Sequence, residues 1–260
     1  MSQTDTHGNT QTIIITGASS GLGAEMARQF AAKGYDLGLA ARRMDRLEAL
    51  RAELAAAYPL RRVELRTLDV TDDDQVFAVF EDFQRTFGQL DRIIVNAGLG
   101  KGAPLGTGRY DANRQTAMTN FVGALAQMEA AMAIFREQRR GHLVVISSVT
   151  AVRGMRKSMT VYAATKAGVA SLAEGVRSEF LDKAGYDIDV TTLFPGYIRS
   201  EMNERVEQQT KFMVDTATGV AAMVAAIEAK KATAFVPAWP WVPIAGIMAH
   251  APLRIAKKVF

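Results

Sequence analysis

Tyr162 and Lys166 stand four residues apart in Val161-Tyr-Ala-Ala-Thr-Lys166, fourteen residues after Ser148. On a helix, positions i and i+4 share one face, so this spacing would place a phenol and an ammonium side by side. A free phenol titrates near ~10, too high for general acid or base work at neutral pH. A neighbouring cation favours the phenolate, and a drop of roughly three units corresponds to about 4 kcal/mol of differential interaction. Taken alone, the pair reads rather as an ordinary amphipathic-helix tyrosine and a solvated lysine, since Y-x-x-x-K is common. The elements around it decide between these readings.

The first such element lies near the N-terminus. Residues 12–16 form the β-branched run Thr-Ile-Ile-Ile-Thr, which reads as a buried parallel strand. Thr16-Gly-Ala-Ser-Ser-Gly-Leu-Gly23 follows at once, and then Leu22, Met26 and Phe30 recur at helical spacing. Strand, glycine-rich turn and helix form the context of a dinucleotide fingerprint, here spaced G-x-x-x-G-x-G. Gly17 permits a tight turn. Gly21 and Gly23 let backbone N–H groups approach a pyrophosphate at a helix N-terminus, where the helix dipole favours anions.

With these motifs in place the chain resembles the short-chain dehydrogenase/reductase family. The resemblance rests on Thr16-Gly-x-x-x-Gly-x-Gly23, Leu68-Asp-Val70, Val95-Asn-Ala-Gly98, Asn120, Ile146-Ser-Ser148, Tyr162-x-x-x-Lys166 and Pro195-Gly196, in the family's order and near its spacing. It implies an α/β fold: a single-domain, doubly wound Rossmann-type parallel sheet of about seven strands with helices on both faces. It also implies a Ser-Tyr-Lys mechanism with Asn120 in support. Tyr162 would exchange a proton with the substrate oxygen, and Lys166 would lower its pKa and hold the nicotinamide ribose. Ser148 would polarise the carbonyl, and Asn120 would anchor a water relay to Lys166. Ser147 is adjacent, but strand alternation points the two serines apart. The family's usual serine-to-tyrosine separation is one residue shorter, which reads as a one-residue insertion within 149–161.

The same resemblance assigns the cofactor contacts. Ser19, Ser20 and Leu22 join Gly17, Gly21 and Gly23 at the phosphate turn. Asp69 and Val70 meet the adenine, with helix capping as the other reading of Asp69. Asn96, Ala97 and Gly98 lie under the cofactor, beside Tyr162 and Lys166. Pro195, Gly196, Ile198 and Ser200 lie along the nicotinamide, Ser200 standing where threonine is common. The choice of cofactor is legible in the residues themselves. About twenty residues after the glycines, where an acidic residue would hold the ribose 2′-hydroxyl of NAD, the chain has Ala41 followed by Arg42 and Arg43. A guanidinium matches phosphate in forked geometry, so the site should prefer NADP(H). Asp45 could compete there; its other reading is a first-turn helix position favourable to the dipole.

Stepping along the chain, strand-like runs at 13–16, 37–41, 63–68, 92–96, 143–147, 189–193 and 234–237 alternate with helical patterns at 22–33, 44–57, 72–86, 110–138, 160–183 and 201–230. Alternation of buried strands with helices implies a parallel sheet covered on both faces. Functional residues then gather beyond the carboxyl ends of the strands. The expected organisation is a frayed tail over 1–11, a catalytic domain over 12–237 and an apolar extension of it over 238–260.

Composition narrows the function classes. The 260 residues carry a net charge of only +4 and no basic stripe paired with aromatics, which argues against nucleic acid as a partner. There is no cysteine, hence no disulfide and no thiolate chemistry. His7, His142 and His250 are scattered, and no metal site is expected. A cytoplasmic homodimer or homotetramer is the expected setting.

The substrate is less legible. The basic loop Arg153-Gly-Met-Arg-Lys157 could meet an anionic group or an acidic carrier protein, or simply be solvated. Residues 238–260 hold both tryptophans and are apolar with a basic end. Prolines break them too often for a membrane span. Pocket cover or subunit contact is favoured over a membrane surface because the helical amphipathicity is poor. The leading expectation is an NADPH-dependent carbonyl reductase or alcohol dehydrogenase acting on a bulky apolar, lipid- or steroid-like ketone or alcohol. The alternatives are a 3-oxoacyl carrier-protein reductase and a catalytically silent NADP-binding regulator.

Overall fold

A computed structural model of the chain describes residues 10–201, 212–254 and 256. Seven strands form one parallel sheet: β1 (Thr12–Thr16), β2 (Asp36–Ala41), β3 (Val63–Thr67), β4 (Arg92–Val95), β5 (Arg140–Ile146), β6 (Asp187–Pro195) and β7 (Thr233–Val236). Their order is β3-β2-β1-β4-β5-β6-β7. The order reverses between β1 and β4, and in a doubly wound sheet the crevice beyond such a switch point takes the ligand.

The strand sequences explain their burial. Ile13 and Ile15 face one core, and Ile14 faces the other, all three fully buried. A strand apolar on both faces is stable only when helices cover both. One face is covered by α1 (Gly21–Ala32), α2 (Met44–Ala57) and α7 (Thr216–Glu228), through side chains such as Phe30, Leu47 and Met223. The other is covered by α3 (Asp73–Phe87), α5 (Gly123–Gln138) and α6 (Met159–Phe180), through Phe83, Phe135 and Val169. Burial of each such side chain contributes about 1.5–3 kcal/mol. Local signals set the helix ends. Asp72 caps α3 by accepting from the Gln75 N–H, and Asp215 caps α7 by accepting from the Thr218 N–H.

Three regions differ from the sequence expectation. The stretch 110–138 is not one α-helix: α4 (Tyr110–Ala117) and α5 are joined by a π-helical turn, Met118–Val122. The expected helix over 201–230 begins only at Thr216; residues 202–211 lie outside the described ones. The proline-rich segment after β7 forms a helix, α8 (Ala238–His250), with a kink at Trp239. Its first proline at 240 falls near the start, where the missing N–H is not needed. Arg153, expected to meet substrate or solvent, instead donates to the carbonyls of Met248 (2.8 Å) and Ala251 at the end of this helix. A cation there satisfies orphan carbonyls and complements the dipole.

The amino end of the sheet holds a buried polar network. Arg92 donates from Nε to His142 Nδ1 (3.0 Å) and from Nη1 to Glu228 (2.8 Å), and Tyr35 donates to the same carboxylate. His142 Nε2 lies 2.8 Å from Thr191 Oγ1. Each ion here has a partner, as burial requires. The network is at the far end of the strands from the glycine-rich turn.

Candidate active site

The carboxyl end of β1 is knotted to that of β4 by one hydroxyl. Thr16 Oγ1 donates to the Ile94 carbonyl (3.3 Å) and accepts from the N–H groups of Asn96 (3.1 Å) and Ala97 (3.2 Å). The Asn96 amide donates to the Thr16 carbonyl (2.9 Å). This holds the two sides of the switch point together and keeps the glycine-rich turn against residues 96–98. Gly17 has φ +65°, and a Cβ there would stand 2.8 Å from Ala97 Cα. A side chain on Gly23 would enter the Gly17 carbonyl. Only bare glycines let the turn and the start of α1 come this close. The resulting tight turn at the N-terminus of α1 fits the phosphates of a dinucleotide. Ser200 closes this cradle on the far side, its Cβ 3.4 Å from where a Cβ of Gly21 would be.

At the end of β2, Arg42 is two-thirds exposed and sits 3.9 Å from Asp69. Asp69 Oδ1 accepts from the backbone and hydroxyl of Thr71, so it shapes its own turn while Asp72 caps α3. Val70 is buried, with its carbonyl against Gly123. Arg43 reaches the phosphate turn itself, donating to Ser19 Oγ (3.3 Å) and Ser20 Oγ (2.7 Å). Asp45 lies in the first turn of α2.

Beyond β5 the two adjacent serines diverge. Ser147 donates to the Lys166 carbonyl (2.7 Å) and so anchors α6. Ser148 accepts from the N–H (3.2 Å) and the hydroxyl (3.0 Å) of Thr150, and it hydrogen-bonds the Tyr162 phenol. Burial pushes the Tyr162 phenol above its ordinary pKa, the bond from Ser148 opposes this, and Tyr197 nearby adds to the rise. Lys166 is buried; its ammonium donates to the Ile146 carbonyl (2.8 Å) and lies 6.0 Å from the Tyr162 ring centre. Burial brings its pKa down to about 8. The electrostatic picture therefore differs from a phenol lowered by its neighbouring ammonium: in the protein alone, desolvation dominates both groups.

Asn120 falls in the π-helical turn, a distortion common at functional sites. Its side chain accepts from the Leu99 N–H (2.7 Å) and donates to the Leu99 carbonyl (2.8 Å). Asn120 Oδ1 and Lys166 Nζ both lie 3.6 Å from the Cβ position of Gly98. Asn120, Gly98, Lys166, Tyr162 and Ser148 thus form one continuous site at the switch point.

α8 completes the surroundings. The Trp241 indole lies against the bare Cα of Gly196 and edge-on to Tyr197 (5.2 Å) and Phe212 (6.4 Å). Its buried N–H has no hydrogen-bond partner among the described residues. Ile198 is buried and bridges to Val214, and Pro195 ends β6. Thr16, Trp241 and Arg46 (which lies beside Arg43) were not singled out by sequence reasoning. Thr16 opens the quoted glycine motif, which was its only signal; the other two depend on contacts between remote segments.

Comparison with known proteins agrees with this architecture. The short chain dehydrogenase family profile matches residues 11–211, and the chain belongs to that family, a family of oxidoreductases. An uncharacterised oxidoreductase of Mycobacterium tuberculosis (strain H37Rv) is 50% identical over 248 residues, covering 95% of this chain and 96% of the relative. The 11-beta-hydroxysteroid dehydrogenase 1A of Arabidopsis thaliana is 35% identical over 194 residues, covering 74% of this chain and 53% of that protein. Among solved structures, a short-chain dehydrogenase from Sphingobium yanoikuyae in complex with NADPH superposes with a TM-score of 0.79 at 28% identity, covering 91% of this chain and 92% of that one. No helix among the described residues is long and apolar enough to cross a membrane, and no group of His, Cys, Asp and Glu among them could hold a metal ion.

Proposed function

We propose that this oxidoreductase is an NADP(H)-dependent carbonyl reductase or alcohol dehydrogenase acting on a bulky apolar ketone or alcohol. The observation that carries the reading is the Ser148–Tyr162 hydrogen bond beside the buried Lys166 ammonium and the glycine cradle. Gly17, Ser19, Ser20, Gly21, Leu22 and Gly23 would hold the pyrophosphate half, with Asp69 and Val70 at the adenine. Asn96, Ala97, Gly98, Pro195, Gly196, Ile198 and Ser200 would line the nicotinamide half. When bound, the nicotinamide supplies the hydride in reduction or accepts it in oxidation.

The rest is done by the chain. Ser148 orients the substrate oxygen through its hydroxyl. Tyr162 donates its phenolic proton to that oxygen in reduction, and takes it back in oxidation. Lys166 holds the nicotinamide ribose, favours the phenolate once the proton has left, and in reduction returns a proton to it from the water relay that Asn120 anchors.

NADP over NAD is supported by Arg42 and Arg43 at the end of β2, with no acidic residue at position 41. The NADPH complex of the Sphingobium neighbour points the same way. An apolar substrate is supported by the Tyr197–Trp241–Phe212 aromatic cluster beside Gly196, and by the hydroxysteroid dehydrogenase among the relatives. A carrier-protein substrate has less support, because Arg153 is spent on α8. The test is a panel of ketones and alcohols, from small water-soluble ones to steroid- and lipid-like ones, with NADPH, NADH and their oxidised forms. Turnover that rises with apolar bulk and with the 2′-phosphate is expected; turnover with none of the panel defeats the reading.

A further inference from the structure

The mouth of the cofactor cradle carries an internal anion. Glu201 follows Ser200 at the end of the β6 turn, and its carboxylate is gripped by two arginines of the β2–α2 corner. Arg43 forms a fork on it, Nη1 to Oε1 at 2.9 Å and Nη2 to Oε2 at 2.9 Å. Arg46 Nη1 lies 3.3 and 3.2 Å from the same two oxygens. Ser20 of the phosphate turn also hydrogen-bonds this carboxylate. Arg43 Nη2 is shared between Glu201 and Ser20, and its Nε is on Ser19. One planar carboxylate therefore fills a nest of two guanidiniums and a hydroxyl, which is the donor set that suits a phosphate monoester. Arg43 and Arg46 thus reach a residue 158 and 155 positions away along the chain.

We infer that Glu201 is a built-in stand-in for the 2′-phosphate: it occupies the Arg43–Arg46 fork in the free protein and sets the threshold that a 2′-phosphate must pass to take that fork. The inference rests on the NADP reading above and adds a specificity-determining residue to it. A 2′-phosphate brings about −1.5 to −2 charges and three acceptor oxygens, against the single charge of the carboxylate, so it can take the arginines from Glu201. A 2′-hydroxyl cannot. The pair is also weak enough to be displaced: the Arg43 and Glu201 side chains are 39% and 42% exposed, so water and salt screen them. Glu201 thereby makes NADP(H) pay a modest toll and leaves the arginines neutralised toward other anions.

The test is direct binding, independent of turnover. The wild-type protein and the Glu201→Gln variant are titrated with NADPH, NADH, adenosine 2′,5′-bisphosphate and ADP, followed by calorimetry. Glu201 is exposed, so the variant should fold, and its circular dichroism melt checks this. The expected result is a Kd for NADPH and for the bisphosphate that falls about three- to tenfold in the variant, while those for NADH and ADP move by less than about twofold. Unchanged NADPH affinity overturns the inference. Equal tightening of all four ligands overturns it too, since Glu201 would then oppose the pyrophosphate that all share. Failure of the NADP reading looks different: wild-type protein would bind NADH as tightly as NADPH. If the variant then gains a preference for NADPH, the Glu201 inference stands; if it gains none, both fall.

Discussion

The phenol of Tyr162 and the ammonium of Lys166 are both desolvated, and each is held away from its charged form. The phenol's chemical role makes the first prediction. Tyr162→Phe keeps the ring and its packing but removes the proton, so turnover should fall by about 10²- to 10⁴-fold while the NADPH Kd stays nearly unchanged. Robust turnover in the phenylalanine variant would end the acid/base assignment. Lys166 allows a separate test through stability. Its folded pKa is about 8, below the ordinary lysine value. Between there and roughly 10.4 the unfolded chain binds the extra proton, so stability rises with pH across that window. The contribution is complete above the unfolded pKa and is lost as pH falls through about 8. Lys166→Met should therefore be inactive, and the difference in unfolding free energy between wild type and variant should grow in favour of wild type from pH 8 to 10. A pH-independent difference in chemical melts would show that the ammonium is not desolvated. Arg42→Ala belongs at the same scale. Loss of a charge-assisted phosphate contact costs about 1.5–3 kcal/mol, so KM for NADPH should rise roughly ten- to a hundredfold while KM for NADH barely moves. An equal effect on both would remove Arg42 from the 2′-phosphate.

Among the elements, the seven strands and most helices were legible to within a few residues. Their signal is local: β-branched runs such as Ile13–Ile15 and apolar spacing such as Met26 with Phe30 need no knowledge of partners. What was illegible depended on remote contacts. The π-helical turn at Asn120 leaves no mark in apolar periodicity; only an asparagine in mid-helix hinted at it. The prolines of 238–260 argue against a membrane span and its amphipathicity is poor, so the sequence marks no helix there, yet Pro240 sits near the start of α8 and Arg153, far off in sequence, ties down its end. That tie predicts a measurable coupling. Arg153→Ala leaves carbonyls of α8 without their cation, so the helix end should fray and Trp241 should lose its fixed seat beside Gly196. The expected readouts are a red shift in tryptophan fluorescence and a weaker affinity for bulky apolar ketones, with NADPH affinity falling less because the glycine cradle proposed for its phosphates lies at other strand ends. Small ketones should be affected less. If affinity for NADPH and for every ketone falls alike, α8 supports the whole fold and does not cover a substrate pocket.

At the scale of the whole molecule the sheet divides its labour between its two ends. Every residue assigned to chemistry or cofactor lies at or beyond a carboxyl strand end, where loops can vary without breaking the ladder. The amino end instead buries a polar network. His142 there is held neutral: burial lowers its pKa well below the ordinary value, and the Arg92 and Lys230 charges add to this. The sign of its effect follows from linkage. Unfolded, the imidazole takes a proton below about 6.5; folded, it resists, so its contribution is present above that pH and is lost as the pH falls toward the folded value. Wild-type protein should thus lose thermal stability between pH 7 and 5 more steeply than a His142→Gln variant, whose amide cannot titrate. At pH 7.5 the variant should melt somewhat lower, because Arg92 loses a well-placed acceptor in a buried site. Its kcat and its NADPH affinity at that pH should match wild type, since the imidazole is at the opposite end of β5 from Ser148. Parallel melting profiles for the two proteins from pH 7 to 5 would mean that acid unfolding starts elsewhere, and a changed kcat at pH 7.5 would mean that the two ends of the sheet are not independent.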